Sequence, residues 1–203
     1  FFSLRYKPSP IRPNAIKKPT IIRPTKSVLA LVVFTLSALL IEGAGIDWSI
    51  IFMRDVFGTS SFLNGLALVL GAFAQFIVRF FADTFVERYG PTKVSKASII
   101  FMFFGLILVC SAIGPYFALI GFFLTGAGTA VLFPLAMSAA AQRTDRPAVM
   151  NVASLAQISF LAFLLGPPLL GFIAEIYNIR LSFGICMPLL ILSWIFVNTV
   201  RSR

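Results

Sequence analysis

The chain has 203 residues, 59% of them hydrophobic and 12% charged, with 23 Phe, a mean hydropathy of +0.95 and a formal charge of +10. Soluble chains carry about twice that charged fraction, so a water-facing domain is excluded and an integral membrane protein is implied. The chain contains no histidine, which excludes Ser-His and Cys-His nucleophile pairs and His-ligated zinc or haem sites.

Seven basic residues and no acid occupy the first 26 positions: Arg5, Lys7, Arg12, Lys17, Lys18, Arg23 and Lys26. Phe1-Phe2-Ser3-Leu4 reads as the trailing end of an earlier apolar segment. Pro8, Pro10, Pro13, Pro19 and Pro24 make residues 5–26 a basic, Pro-rich connecting loop. The sequence is therefore expected to be the C-terminal part of something longer. Charge gathered at the ends in this way is a topology signal and not a nucleic-acid surface.

Six apolar runs follow, at about 27–52, 60–82, 94–113, 115–141, 147–174 and 181–200, each long enough to cross ~30 Å of hydrocarbon. Every span is expected to be helical, because lipid offers no partner to an unpaired backbone group. In the first span the helix rises ~22 Å from Ser27 to Glu42. Glu42 is thus expected past the midplane, and Asp47 near the interface beside Trp48. Gly43 and Gly45 weaken the helix between the two acids, and an interrupted helix with a polar centre points to a binding site. Asp47 has pairing with Arg54 as its alternative reading. Arg54 is too far along the helix to serve Glu42 and no other basic residue of these six spans is well placed, so a partner for Glu42 is expected from outside them, from a preceding half or from the solute. Asn64 and Gln75 in the second span, with Asn151 and Gln157 in the fifth, are the uncharged candidates for a cavity wall.

The connection after the second span carries Arg79, Asp83, Arg88, Gly90 and Lys93. Asp83 ends its helix, where the macrodipole disfavours an anion. It is expected to seek a cation or the start of the fifth span and, with Arg88 and Lys93 nearby, to latch the two spans when the cytoplasmic side is closed. In the fourth span Gly126 and Ala130 form a small-xxx-small pair that lets helices touch. Pro134 there, and Gly166-Pro167-Pro168 in the fifth span, are expected to kink their helices and free backbone carbonyls. Packing is the plain reading of these positions and a rocking hinge the sharper one. Cys110 and Cys186 are isolated and apolar in setting, so they read as packing residues. Fifteen of the 17 basic residues fall on one side of this topology, and only Arg54 and Arg180 on the other. That places both termini in the cytoplasm.

The run Asp83, Arg88, Gly90, Lys93 resembles the signature that follows the second helix of each half in the major facilitator superfamily. Glu42-Gly43-Ala44-Gly45-Ile46-Asp47-Trp48-Ser49 resembles the seventh helix of that superfamily's MosC-like bacterial permeases. Phe163 to Phe172, with Gly166-Pro167-Pro168 inside it, resembles their eleventh. The resemblance implies an all-α membrane fold in which residues 27–203 are the C-terminal six-helix half, two inverted three-helix repeats, of a twelve-helix transporter. It implies residues 1–26 as the end of a preceding helix and the central loop. Expected partners are the bilayer of the cell membrane, an N-terminal six-helix half and a small polar solute with or without protons; no nucleic acid, metal or cofactor is expected. The function expected is secondary transport, and not an enzyme activity. A transport-inactive sensor and a self-contained six-helix protein are the alternatives.

Overall fold

The structure is a computed structural model that describes residues 21–201. The expected apolar tail at Phe1–Leu4 and most of the expected basic loop lie outside the described residues.

Thr25 opens the first helix, α1 (Lys26–Phe57), by accepting the Val28 amide on its hydroxyl, and Gly58 closes it at φ +61. That left-handed conformation suits a residue without Cβ. α1 is unbroken through Gly43 and Gly45, where the sequence suggests an interruption. The reason is packing: Gly43 lies against Phe163 and Pro167 of a later helix, and tertiary contact overrides propensity. α2 (Ser61–Tyr89) continues seven residues past its expected end and stops at Gly90, φ +81. Arg79 therefore lies ten residues inside a helix and not in a connection. α3 (Pro91–Ser111) starts on Pro91, whose missing amide proton costs nothing at a helix start.

The fourth span is two helices, α4 (Pro115–Thr129) and α5 (Leu132–Ala141). Pro134 lacks the N–H that would bond the Ala130 carbonyl, and regular bonding resumes with the Leu135 amide on Val131. α6 (Ala148–Ile176) runs through Pro167 and Pro168 as one helix. The last span was expected whole but is broken into α7 (Ile179–Gly184), α8 (Met187–Ile195) and a 3-10 turn at Phe196–Val200. Pro188 removes a donor in the same way there. Arg180, at the start of α7, caps the other end of α3 by donating to the carbonyls of Cys110 (2.7 and 3.0 Å) and Ser111 (3.0 Å).

These segments make six spans long and apolar enough to cross a membrane, and no strand occurs among the described residues. The all-α fold expected from the sequence is what the chain adopts. α1 is the hub, packed against α2, α4, α5, α6 and α8. At one end of the bundle Phe52, Phe122 and Phe183 stack edge to face, with centroids 5.4 to 5.7 Å apart, and join α1, α4 and α7. Glycines set the closest crossings: Gly105 meets Gly121 and Thr125 between α3 and α4, and Gly126 meets the backbone of Gly71 between α2 and α4. α2 and α6 are the least buried spans and show Phe73, Phe76, Phe80, Leu164 and Phe172 on their surfaces. An apolar exterior of that kind belongs in lipid or against another helical unit.

Candidate functional site

A cleft of about 100 Å³ opens between α1, α2 and α4, lined by Glu42, Gly45, Gly71, Gln75, Thr125 and Thr129 among others. Glu42 stands at the middle of α1, since its 32 residues centre on Ile41–Glu42. The partner of Glu42 comes from within these six spans and not from outside them: it is Arg79, which the longer α2 brings alongside α1. Its Nη2 donates to Glu42 Oε1 at 3.3 Å, with the Arg79 side chain 47% exposed and Glu42 17%. Arg79 Nε donates to the Ala130 carbonyl at 3.1 Å, the same carbonyl that Pro134 leaves without its helical donor.

One turn earlier on α2, Gln75 donates to Thr129 Oγ1 at 3.4 Å, and that hydroxyl donates to the Gly126 carbonyl at 3.1 Å. Residues four apart share a helix face, so Gln75 and Arg79 address α4 together. Arg79 Nη1 and the second oxygen of Glu42 keep hydrogen-bonding capacity for another group. The cleft thus offers donors and acceptors beside each other at mid-length in an apolar bundle. That arrangement can hold a small solute carrying both. No cluster of three metal-ligating side chains occurs among the described residues.

The remaining candidates lie elsewhere. Asp47 is exposed on α1 and does not meet Arg54, which pairs with Asp55 at 2.6 Å. Asn64 is buried at the α1–α2 turn and tied to Thr59, 2.6 Å away, whose hydroxyl also reaches the Met53 carbonyl. It fastens the first turn of α2 and does not line the cleft. Gln157 accepts the Ile22 amide at 3.0 Å, near the other end of the bundle. Asp83 is exposed and has no hydrogen-bond or ion-pair partner among the described residues. The expected meeting of Asp83 with the start of the fifth span does not occur, because α2 packs on α1, α3 and α4 while α6 lies on α1, α5 and α7. Arg88 lies over the Tyr89 ring at 5.4 Å. Gly90 ends α2, and Lys93 follows in the first turn of α3.

The start of α6 is instead fastened by Asp145, which the sequence reading passed over. Ser27 Oγ donates to its Oδ2 at 2.7 Å and Asn151 Nδ2 to its Oδ1 at 2.8 Å. Arg146 Nη1 donates to the Arg23 carbonyl at 2.8 Å, and Arg143 Nη2 to the Thr199 carbonyl at 2.7 Å. Hydrogen bonds from Ser27, Thr25 and Asn151 hold the Asp145 carboxyl below the usual carboxylate range. A depressed carboxylate contributes stability at pH values above its unfolded pKa and loses it as pH falls through the folded one. Asp145→Ala should therefore lower amide protection factors over Lys26–Leu29 at neutral pH, and acidification should do the same to the wild-type protein. Unchanged protection in the variant would leave the loop held by Arg143 and Arg146 alone.

A family model described as Major Facilitator Superfamily matches residues 28–203. An uncharacterized MFS-type transporter of Yersinia pestis is 33% identical over 154 residues, which cover 76% of this chain and 40% of that protein. An uncharacterized transporter of Sinorhizobium fredii is 32% identical over 165 residues, 81% of this chain and 44% of that protein. A shorter likeness, 37% identity over 71 residues, joins 35% of this chain to 18% of an uncharacterized MFS-type transporter of Salmonella typhimurium. The chain thus spans under half the length of these relatives. None of these names carries the MosC-like branch.

Proposed function

The chain belongs to the major facilitator superfamily, and on that premise we propose that it is the C-terminal six-helix half of a secondary transporter that moves a small polar solute, sugar-like or another small metabolite, by alternating access. It is a multi-pass membrane protein of a transporter family and not an enzyme. The observation that carries the finer reading is the Glu42–Arg79 pair, whose Glu42 lines an open cleft at the middle of α1 in an otherwise apolar bundle. An ionisable pair at that depth is costly to insert and marks a solute or ion pathway. The relatives' greater length leaves room for an N-terminal half to cover the cleft and the exposed apolar faces of α2 and α6. Asp83, with Arg88 and Lys93, would then gate against that half. Protons are the candidate coupling ion, through Glu42.

The test is solute exchange by the full-length protein in proteoliposomes, with a panel of radiolabelled sugars, polyols and small organic metabolites. Exchange of one class above empty vesicles is expected. Binding without exchange would make the protein a sensor.

The proposed orientation in the cell membrane has both termini of this segment in the cytoplasm, from the lopsided distribution of Arg and Lys. After Cys110 and Cys186 are changed to Ser, a cysteine at Gly58 or Asn178 should react with an impermeant thiol reagent added outside. One at Thr92 or Thr144 should react only in inverted vesicles. Labelling from the opposite sides would overturn the orientation.

A further inference from the structure

One guanidinium joins three elements in this fold. Arg79 projects from α2, its Nη2 donates to Glu42 of α1, and its Nε donates to the Ala130 carbonyl between α4 and α5. That carbonyl is short of a donor for a covalent reason. Its helical partner would be the amide of residue 134, and Pro134 has none. Ala130 itself is helical, at φ −52, ψ −38, and Val131 after it stays in the right-handed region but is opened to φ −114, ψ −16. A residue with an amide proton at position 134 would carry the donor that this carbonyl lacks. Arg79 does from the side what the fourth-span backbone cannot do for itself.

We propose that Arg79 is a positioning residue that braces the α4–α5 break through the carbonyl freed by Pro134, and that it couples this break to Glu42 in the cleft. The inference rests on the proposed transport reading only for what the coupling is used for. The brace follows from donor arithmetic: a buried carbonyl deprived of its helical donor needs another. The coupling follows from geometry. Nε and Nη2 belong to one rigid planar group, so a change at Glu42 that draws Nη2 away tilts Nε from the Ala130 carbonyl. Loss of the Glu42 charge, or a solute that takes over one of its oxygens, would loosen the break. α5 could then re-angle on α4, which turns an event in the cleft into movement at the end of the bundle that carries the 142–147 loop.

Two measurements on the full-length protein test this, and neither involves transport. The first is a double-mutant cycle between Arg79→Gln and Pro134→Ala, read as the apparent melting temperature in detergent. Arg79→Gln should lower it by at least about 3 °C more in the wild-type background than in the Pro134→Ala background, because alanine supplies the amide for which Arg79 substitutes. Additive effects would overturn the brace. Where Arg79→Gln alone does not fold, recovery of folded protein by adding Pro134→Ala supports it, and failure in both backgrounds overturns it. The second places spin labels at Phe117 of α4 and Gln142 beyond α5, with Cys110 and Cys186 changed to Ser. Glu42→Gln should shift or widen the distance distribution between the labels, and a distribution identical to that of the parent would overturn the coupling. Absent flux beside a non-additive cycle would sink the transport reading and leave the brace standing.

Discussion

Glu42→Gln should reduce solute accumulation by the full-length protein about tenfold or more while leaving the bundle folded. Glu42 sits at the middle of α1 with its side chain 17% exposed, and Arg79 is its charged partner. A lone charge at a helix centre costs roughly 2.5–3.5 kcal/mol on insertion scales, so the two residues offset each other's cost. Glutamine keeps the shape and one acceptor, but the bond to Arg79 becomes one between a charged and a neutral group. Hydrogen bonds to charged partners contribute about 1.5–3 kcal/mol, against about 0.5–1.5 for neutral ones. A loss of the order of 1.4 kcal/mol in whichever state uses the pair is a factor of about ten. Two outcomes separate the roles open to Glu42. A proton-coupling carboxylate leaves exchange and binding intact in Glu42→Gln and loses pH-driven accumulation. A direct ligand loses binding itself. Wild-type accumulation and affinity would make Glu42 a structural counter-ion for Arg79.

The pair shows where sequence reading stops. Glu42 stood out because a carboxylate in a long apolar run is expensive wherever the helix goes. Arg79 stood out only as a member of the gate motif of the following connection, and nothing along the chain linked it to Glu42. What carries Arg79 into the bundle is α2 running on to Gly90, whose φ of +81 ends the helix. Antiparallel packing of α1 and α2 then sets residue 79 beside residue 42, and no spacing along the chain records that. Pro134 was different. Its effect on the Ala130 carbonyl is covalent and local, so the freed carbonyl was legible, and only the identity of the donor that fills it was not.

The same division runs through the rest of the fold. Number, type and approximate limits of the six spans follow from hydropathy and turn residues alone, because both act within a few residues. The Asp145 clasp escaped notice because Ser27, Asp145 and Asn151 are polar residues in or beside short connections, where such residues are ordinary. Their meeting depends on α1 and α6 lying side by side. Asp83 had a clear local signal, an acid at a helix C-terminus, yet it does not meet the start of α6 in this structure, where α2 and α6 lie on different sides of the hub. Asn64 is the converse: a polar residue in an apolar run reads as cavity wall, whereas the nearby Thr59 satisfies it.

Gly126→Ala should cost the protein more than any other single methyl group added to its helices' interior, whereas Gly65→Ala should be neutral or stabilising. The comparison isolates one atom. A Cβ at Gly65 meets nothing within 4 Å, while a Cβ at Gly126 would fall on the carbonyl of Gly71, with the Gly71 C at 2.7 Å and Cα at 2.8 Å. A clash with a side chain can be relieved by a rotamer change, but this one is with backbone, so α2 and α4 must separate along the crossing that lines the cleft. Overpacking of that kind costs typically 1–3 kcal/mol, and the bundle also loses the close van der Waals contact that holds helices together where water supplies no hydrophobic drive. At ~2–4 °C per kcal/mol for a chain of this size, an apparent melting temperature lowered by about 5 °C is expected for Gly126→Ala. Gly65→Ala removes the conformational freedom of a helical glycine without a clash, which favours the fold by about 0.5–1 kcal/mol. Because Gly126 and Gly71 flank the cleft that holds Glu42 and Gln75, separation of α2 from α4 should also lengthen the reach from Arg79 to the Ala130 carbonyl. Equal melting temperatures for the two variants would mean that α2 and α4 do not approach through their glycines, and the cleft would have a different floor.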